Sequence, residues 1–294
     1  MQIIEWLKAV LYGIVEGITE WLPVSSTGHL ILFRDLLPFS FTRDSRFLAE
    51  FGEMFEVVIQ LGAILAVVVL FWGRLWPFSA KKEAGEKRRT WTLWFKVLVG
   101  CLPAAFAGIV LDKVLENLTG KDLNGWLYHS LVVAIMLIVY GVAFIVIEHF
   151  NRNREPRVTD LDNLSYKTAF LIGLFQMLSL IPGTSRSGST ILGSILLGLN
   201  RTAGAEFSFF MSIPVMVGAS GIKMLGFFQY VGESGVSVPI DAWITLAVGC
   251  VVSFLVSLVA IRFLMDFVKR HSFAPFGVYR IALGLLVILF WLVR

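Results

Sequence analysis

The chain has 294 residues, of which 57% are hydrophobic and only 16% charged, with a mean hydropathy of +0.79, whereas soluble domains carry about 25% charged residues. That composition excludes a soluble globule. The net charge of +4 does not point to nucleic acid, because Lys and Arg cluster in short connections between apolar runs, where they report membrane topology.

The first apolar stretch, residues 8–33, is broken by Pro23-Val24-Ser25-Ser26-Thr27-Gly28 and reads as helix, turn, helix. Glu5, Glu16 and Glu20 interrupt the apolar core of the N-terminal run and no small-residue cleavage site follows, so it is taken as part of the mature fold and not as a signal peptide. Glu16 and Glu20 stand one helical turn apart on one face, and a charge at that depth is costly unless paired or hydrated. The pair offers hard oxygen ligands for a divalent cation, Mg²⁺ or Ca²⁺, or a proton acceptor. Ser25, Ser26, Thr27 and His29 follow at the start of the returning helix, where free N–H groups and hydroxyls suit phosphate. Ser26 or His29 could act there as nucleophile or general base. The plainer alternative is a Ser/Thr cap with a snorkelling histidine.

Six segments have the length and apolar character of crossings: 54–72, 97–115, 126–148, 205–228, 242–265 and 275–294. Glu56 and Gln60 share a face of the first, and Glu206 opens the fourth; both carboxylates read as structural, capping hairpin backbone or pairing with arginine. Cys101 and Cys250 lie in apolar stretches without metal-ligand spacing. His129 and His149 lie near span ends and His271 in a basic loop, and all three read as interfacial. The connection 73–96 carries seven Lys and Arg against Glu83 and Glu86, which places it in the cytoplasm. Residues 149–167 and 266–274 then fall inside and 229–241 outside.

A second broken stretch, 168–199, contains Pro182-Gly183-Thr184-Ser185-Arg186-Ser187-Gly188-Ser189-Thr190. The planar fork of Arg186 suits phosphate oxygens, and the hydroxyls of Ser185, Ser187 and Thr190 with the Gly amides can complete a cradle. The bland alternative is an ion pair between Arg186 and Glu16 or Glu20. Irregular backbone at membrane depth needs protein or a wet cavity around it, so both broken stretches are expected to be re-entrant. Three crossings separate them, so the first enters from outside and the second from inside.

The two stretches resemble each other: Gly13-x-x-Glu16-x-x-Thr19 before Pro23-x-x-Ser26, against Gly173-x-x-Gln176-x-x-Ser179 before Pro182-x-x-Ser185. The expected fold is therefore an all-α polytopic membrane protein, with six transmembrane helices plus two re-entrant helical hairpins in an inverted-topology repeat. It forms a single membrane domain, with repeat 1 about 1–150 and repeat 2 about 165–294. Fold logic alone would also fit a secondary transporter, such as a lipid-phosphate flippase.

The stretch from Glu16 to His29 resembles the glutamate-rich motif of the bacterial undecaprenyl pyrophosphate phosphatases of the bacitracin-resistance type. Pro182 to Thr190 resembles their PGxSRSxxT motif, and Phe55–Gly62, Glu206–Phe209 and Pro275-Phe276-x-x-Tyr279-Arg280 are similar to the family as well. The connection around 34–53 is longer and more charged than the family's. The resemblance implies hydrolysis of undecaprenyl diphosphate to undecaprenyl phosphate, recycling the lipid carrier for peptidoglycan and conferring bacitracin resistance. It also implies a divalent-cation requirement, a place in the bacterial inner membrane, and a site opening to the outer face. By motif match, Glu16, Glu20, Ser26, His29, Ser185, Arg186 and Thr190 carry over as site residues. The expected partners are the diphosphate lipid and membrane lipids, with no nucleic acid and a homodimer left open. The expected roles follow: Glu16 and Glu20 hold the cation, Arg186 with Ser185, Ser187 and Thr190 grips the terminal phosphate, and Ser26 attacks with His29 assisting its proton transfer, while direct attack by water or a phospho-His29 intermediate would use the same atoms. The Lys-x6-Arg-Pro and Ser-Arg-x5-His elements of type-2 phosphatidic acid phosphatases are absent.

Overall fold

Residues 2–119 and 130–293 are described by a computed structural model. Helices dominate, and among the described residues the only β pairing is an isolated bridge between Val158 and Leu199. In chain order the main helices are α1 (Gln2–Thr19), α2 (Ser26–Leu36), α3 (Ser45–Leu70), α4 (Ala84–Thr119) and α5 (Ser130–Asn151), then α6 (Tyr166–Met177), α7 (Arg186–Leu196), α8 (Arg201–Ser234), α9 (Ile240–Arg270) and α10 (Ala274–Val293). Six of them, α3, α4, α5, α8, α9 and α10, are long and apolar enough to cross a membrane. Large apolar side chains such as Phe106, Ile222, Val259 and Leu289 remain exposed on their outer faces, as lipid contact requires. The fold is all-α and polytopic, as expected. His129 and the start of the 126–148 segment lie outside the described residues.

Helix boundaries depart from the apolar windows because helices continue into polar sequence when caps and partners allow it. Helix α3 starts at Ser45, nine residues before its apolar run, where the Asp44 carboxylate accepts the Phe47 N–H at 3.0 Å. The basic segment 73–96 is largely helical, since α4 begins at Ala84 and carries Lys87, Arg88, Arg89 and Lys96. Lys96 is buried, and its ammonium donates to the carbonyls of Leu161 and Asp162 at 3.0 and 2.9 Å. Helix α8 runs on to Ser234, stopped by Gly235 at φ 66°, so the expected 229–241 connection shrinks to 235–239. Helix α1 begins at Gln2, because its buried Glu5 is satisfied by Lys8 and by the Ser40 amide and hydroxyl.

Both broken stretches fold as helix, break, helix. The second helix of each, α2 or α7, has 11 residues and starts from a serine in the left-handed region, Ser25 at φ 74° and Ser185 at φ 72°. These are the only non-glycine residues with positive φ among those described, a conformation costing about 1–3 kcal/mol. Each serine Oγ accepts a backbone N–H three residues on, from Gly28 at 3.4 Å and from Gly188 at 3.1 Å.

Packing exchanges partners between the halves of the chain. Helix α1 lies along α9, and α6 lies along α4. Gly13 admits the α9 backbone so closely that a Cβ there would meet the Gly249 carbonyl oxygen at 2.8 Å. Gly173 faces the Gly100 carbonyl of α4 in the same manner. Helices α5 and α10 form a further extensive pair, and α3 packs along α9 and α8.

At the second break, Gly183 has φ 89°, and a Cβ on it would run into the backbone of Val133. Gly183→Ala is expected to destabilise by about 2–4 kcal/mol, combining left-handed strain with overpacking. Gly198→Ala shares the strained φ of 93° but meets only ordinary contacts with Arg157, and should cost about 1–2 kcal/mol. Thermal melting in detergent checks the order; equal shifts would remove Val133 from the account.

Candidate active site

Helix α1 ends at Thr19, and the break that follows turns Glu20 toward the second hairpin. Glu16 and Glu20 are both buried. The Glu20 carboxylate is the hub: Oε2 accepts the Ser26 hydroxyl at 2.9 Å, and Oε1 accepts Arg186 Nη2 at 2.9 Å. Residues 166 positions apart are thereby joined in one ion pair. Of the two ion pairs open from sequence, the one to Glu20 is formed.

Arg186 is held on its other side by the Ser208 carbonyl, which accepts Nη1 at 2.8 Å. Its Nε is buried without a hydrogen-bond partner, leaving one N–H of the fork unused. Buried donors in that condition are rare and costly, which makes it a natural contact for an anionic group. The starts of α2 and α7 meet at the same place, and first-turn N–H groups of a helix lack intrahelical acceptors.

Glu16 differs from Glu20. Both its carboxylate oxygens are buried and neither has a hydrogen-bond partner. A buried carboxylate without donors is tolerated only when neutralised, by a proton or by a cation. One turn from Glu20, its oxygens are of the hard type that a divalent ion takes, with Glu20 as the neighbouring carboxylate. Among the described residues no cluster of three or more His, Cys, Asp or Glu could complete a cage, so substrate oxygens and water would fill the remaining positions.

The other expected site residues are placed as follows. His29 is not hydrogen-bonded to Ser26: its Nδ1 is 2.8 Å from the Ser25 carbonyl and its Nε2 2.8 Å from the Tyr279 hydroxyl. Since a carbonyl can only accept, Nδ1 carries the proton, and Nε2 shares a hydrogen bond with the Tyr279 hydroxyl. Ser26 is hydrogen-bonded to Glu20 and not to His29, the partner expected from sequence. Ser25 and Ser185 spend their hydroxyls on helix caps. Ser187 Oγ donates to the Glu20 carbonyl at 3.0 Å, and Thr190 bonds the Arg186 carbonyl and the Ser208 hydroxyl. These three hydroxyls and Ser25 build the frame that aims Arg186 and Glu20. Thr27 sits part-exposed in the first turn of α2. Glu56 pairs with Arg34, and Glu206 with Arg74, as expected of structural carboxylates.

Residues from the last span were missed. Arg280 is fully buried, and its guanidinium donates to the carbonyls of Pro23 (3.2 Å), Gly183 (2.8 Å) and Thr184 (2.9 Å), so it ties both breaks together. Its Cζ lies 5.5 Å from the Tyr140 ring centre, and the Tyr140 hydroxyl accepts from Ser189. The available signal was an arginine inside the apolar run 275–294, since an intramembrane charge marks a site by default.

A polytopic helical bundle with two broken hairpins, whose carboxylates, guanidinium and hydroxyl converge inside it, defines a membrane protein that handles an anionic group within the bilayer. The chain belongs to the Bacitracin resistance protein BacA family, which matches residues 9–286. Similar proteins named undecaprenyl-diphosphatase include one from Streptococcus thermophilus, 52% identical over 99% of this chain and 95% of its own length. Others come from Enterococcus faecalis, 50% identical over 97% of each chain, and Desulfitobacterium hafniense, 47% identical over 100% of this chain and 99% of its own.

Proposed function

We propose that this chain is an integral membrane phosphatase that hydrolyses undecaprenyl diphosphate to undecaprenyl phosphate and inorganic phosphate. It thereby recycles the lipid carrier for wall polymers in the bacterial cytoplasmic membrane, with its site open to the outer face. The carrying observation is the chain Ser26 Oγ, Glu20, Arg186, with both links at 2.9 Å. Phosphoryl transfer asks a protein mainly to position groups and neutralise charge. Arg186 faces the terminal phosphate with its unused Nε–H, and Ser26 Oγ attacks the phosphorus as its proton passes to Glu20 Oε2. The phosphoanhydride bond breaks, and Glu20 hands the proton to the departing lipid phosphate. Water then cleaves the phosphoserine, with Glu20 taking a proton from the water and returning one to Ser26 Oγ. Glu16, with Glu20, would hold a divalent cation, Mg²⁺ or Ca²⁺, which supplies neutralisation of the diphosphate charge. His29, fixed by the Ser25 carbonyl and Tyr279, steadies the first turn of α2.

The two halves of the chain, about 1–150 and 165–294, are read as an inverted repeat with re-entrant hairpins. The matched serines at the two breaks and the exchanged packing of α1 on α9 and α6 on α4 support this reading.

Detergent-solubilised protein is expected to release phosphate from undecaprenyl diphosphate, whereas a pure carrier would release none. Chelation should abolish release and added Mg²⁺ or Ca²⁺ should restore it. Ser26→Ala is expected to be inactive, and labelled phosphate should be trapped on Ser26 of the active protein after rapid quenching. Full turnover by Ser26→Ala would transfer the attack to water.

A further inference from the structure

A cavity of about 470 Å³ opens where the C-terminal ends of α5 and α9 meet the N-terminal ends of α8 and α10. Its wall carries Arg152, Arg201, Arg270, His149 and His271 against a single carboxylate, Glu148. That carboxylate is already committed. Arg201 grips it through Nε at 2.9 Å and Nη2 at 2.6 Å, and the Phe273 N–H adds a third bond at 2.9 Å. Glu148 is buried in consequence and has little to offer a second cation.

Arg152 and Arg270 are left over. Both are exposed on the cavity wall, and neither makes an ion pair among the described residues. Asp266, four residues before Arg270 on α9, lies within electrostatic reach of it but takes its ion pair from Lys269 at 2.9 Å, so two guanidiniums lining one concave surface are left without a carboxylate partner. The α10 N-terminus, with Ala274 in the wall, adds the partial positive charge of its free N–H groups. Surface basic residues that only set topology have no reason to converge on a cavity with their one acid neutralised.

The cavity is separate from the candidate active site. Ala274 lies six residues before Arg280 on α10, about 9 Å along the helix axis, and Glu148 lies eight residues beyond Tyr140 on α5, about 12 Å. It sits at the ends of four helices that carry basic connections, and basic residues flanking membrane spans attract the phosphate groups of anionic lipids.

We propose that this cavity is a second anion site, which takes a phosphate mono- or diester group through the forks of Arg152 and Arg270, with Arg201 held in place by Glu148. Guanidinium forks pair with phosphate oxygens two at a time, and the volume suits a phosphate head and exceeds what a bound water needs. The group can arrive as a lipid headgroup or as free phosphate, and the two are separable.

The test uses the full-length protein in detergent, with Arg152→Gln/Arg270→Gln compared against Lys81→Gln/Lys167→Gln, an equal charge change at exposed positions away from the cavity. Native mass spectrometry measures binding of phosphatidylglycerol against phosphatidylcholine, and ³¹P NMR titration measures inorganic phosphate. The arginine pair is expected to weaken binding of at least one anionic probe about tenfold or more, and the lysine pair less than about twofold. An effect on phosphatidylglycerol alone identifies a lipid head as occupant, and a matching effect on inorganic phosphate identifies the soluble anion. Arg152→Lys/Arg270→Lys keeps the charge and removes the forks, so it should fall between wild type and the glutamine pair, and it serves as the readout if the glutamine pair does not fold. Unchanged affinity for both probes, or an equal loss in the lysine control, would overturn the site.

Discussion

Glu20→Gln is expected to lower phosphate release by about 10³-fold or more, the upper range for removing a general base. The substitution keeps the shape of the side chain and an oxygen that can accept one of its two partners. It removes the negative charge that faces Arg186 at 2.9 Å and the basic Oε2 that takes the Ser26 proton. Removing one partner of a buried pair leaves the other charge uncompensated, at about 3–5 kcal/mol. Melting in detergent must therefore be measured on the same samples, and Arg186→Gln/Glu20→Gln should recover melting temperature without recovering turnover. Ser26→Ala/Glu20→Gln should be no slower than the worse single variant, because groups acting as one unit are not additive. Full additivity of Ser26 and Glu20 would separate them into independent roles and end the proposed proton path.

Much of this site was legible along the chain because it is built from charges placed where the bilayer makes them expensive. Glu16, Glu20 and Arg186 stand out in apolar sequence, and turn-forming clusters beside them mark the two breaks. The crossings were legible for the same reason, through length and hydropathy. What sequence could not supply is which partner each polar group takes. Ser25, Ser26 and Thr27 are chemically similar neighbours, yet Ser25 caps α2 from a strained backbone while only Ser26 reaches Glu20. His29 looks equally suited to serve Ser26 until α10 brings Tyr279 to its Nε2 across 250 positions. Boundaries failed in the polar flanks, where Asp44 and Lys96 extend or anchor helices through local bonds that no hydropathy window records.

Arg280→Met is expected to be the most damaging single change outside the carboxylates, lowering both melting temperature and phosphate release. The arginine sits in α10, far from both motifs, and three backbone carbonyls depend on it: Pro23 from the first break, Gly183 and Thr184 from the second. Those carbonyls lie where the chain leaves helical geometry, so they have no intrahelical N–H to turn to, and at this depth water is scarce. Each buried acceptor left unsatisfied costs about 1–3 kcal/mol, and the loss falls on the joint that sets Ser26 and Glu20 against Arg186. Methionine fills most of the volume, so a loss of stability reports missing donors more than a cavity. Arg280→Lys retains the charge but cannot present a planar fork to carbonyls from two chain segments at once. It should recover part of the melting temperature while phosphate release stays low, because the two breaks would no longer be held in register. If Arg280→Met melts normally and turns over normally, the two hairpins are held together by their own contacts, and the guanidinium of α10 is a passenger at the joint.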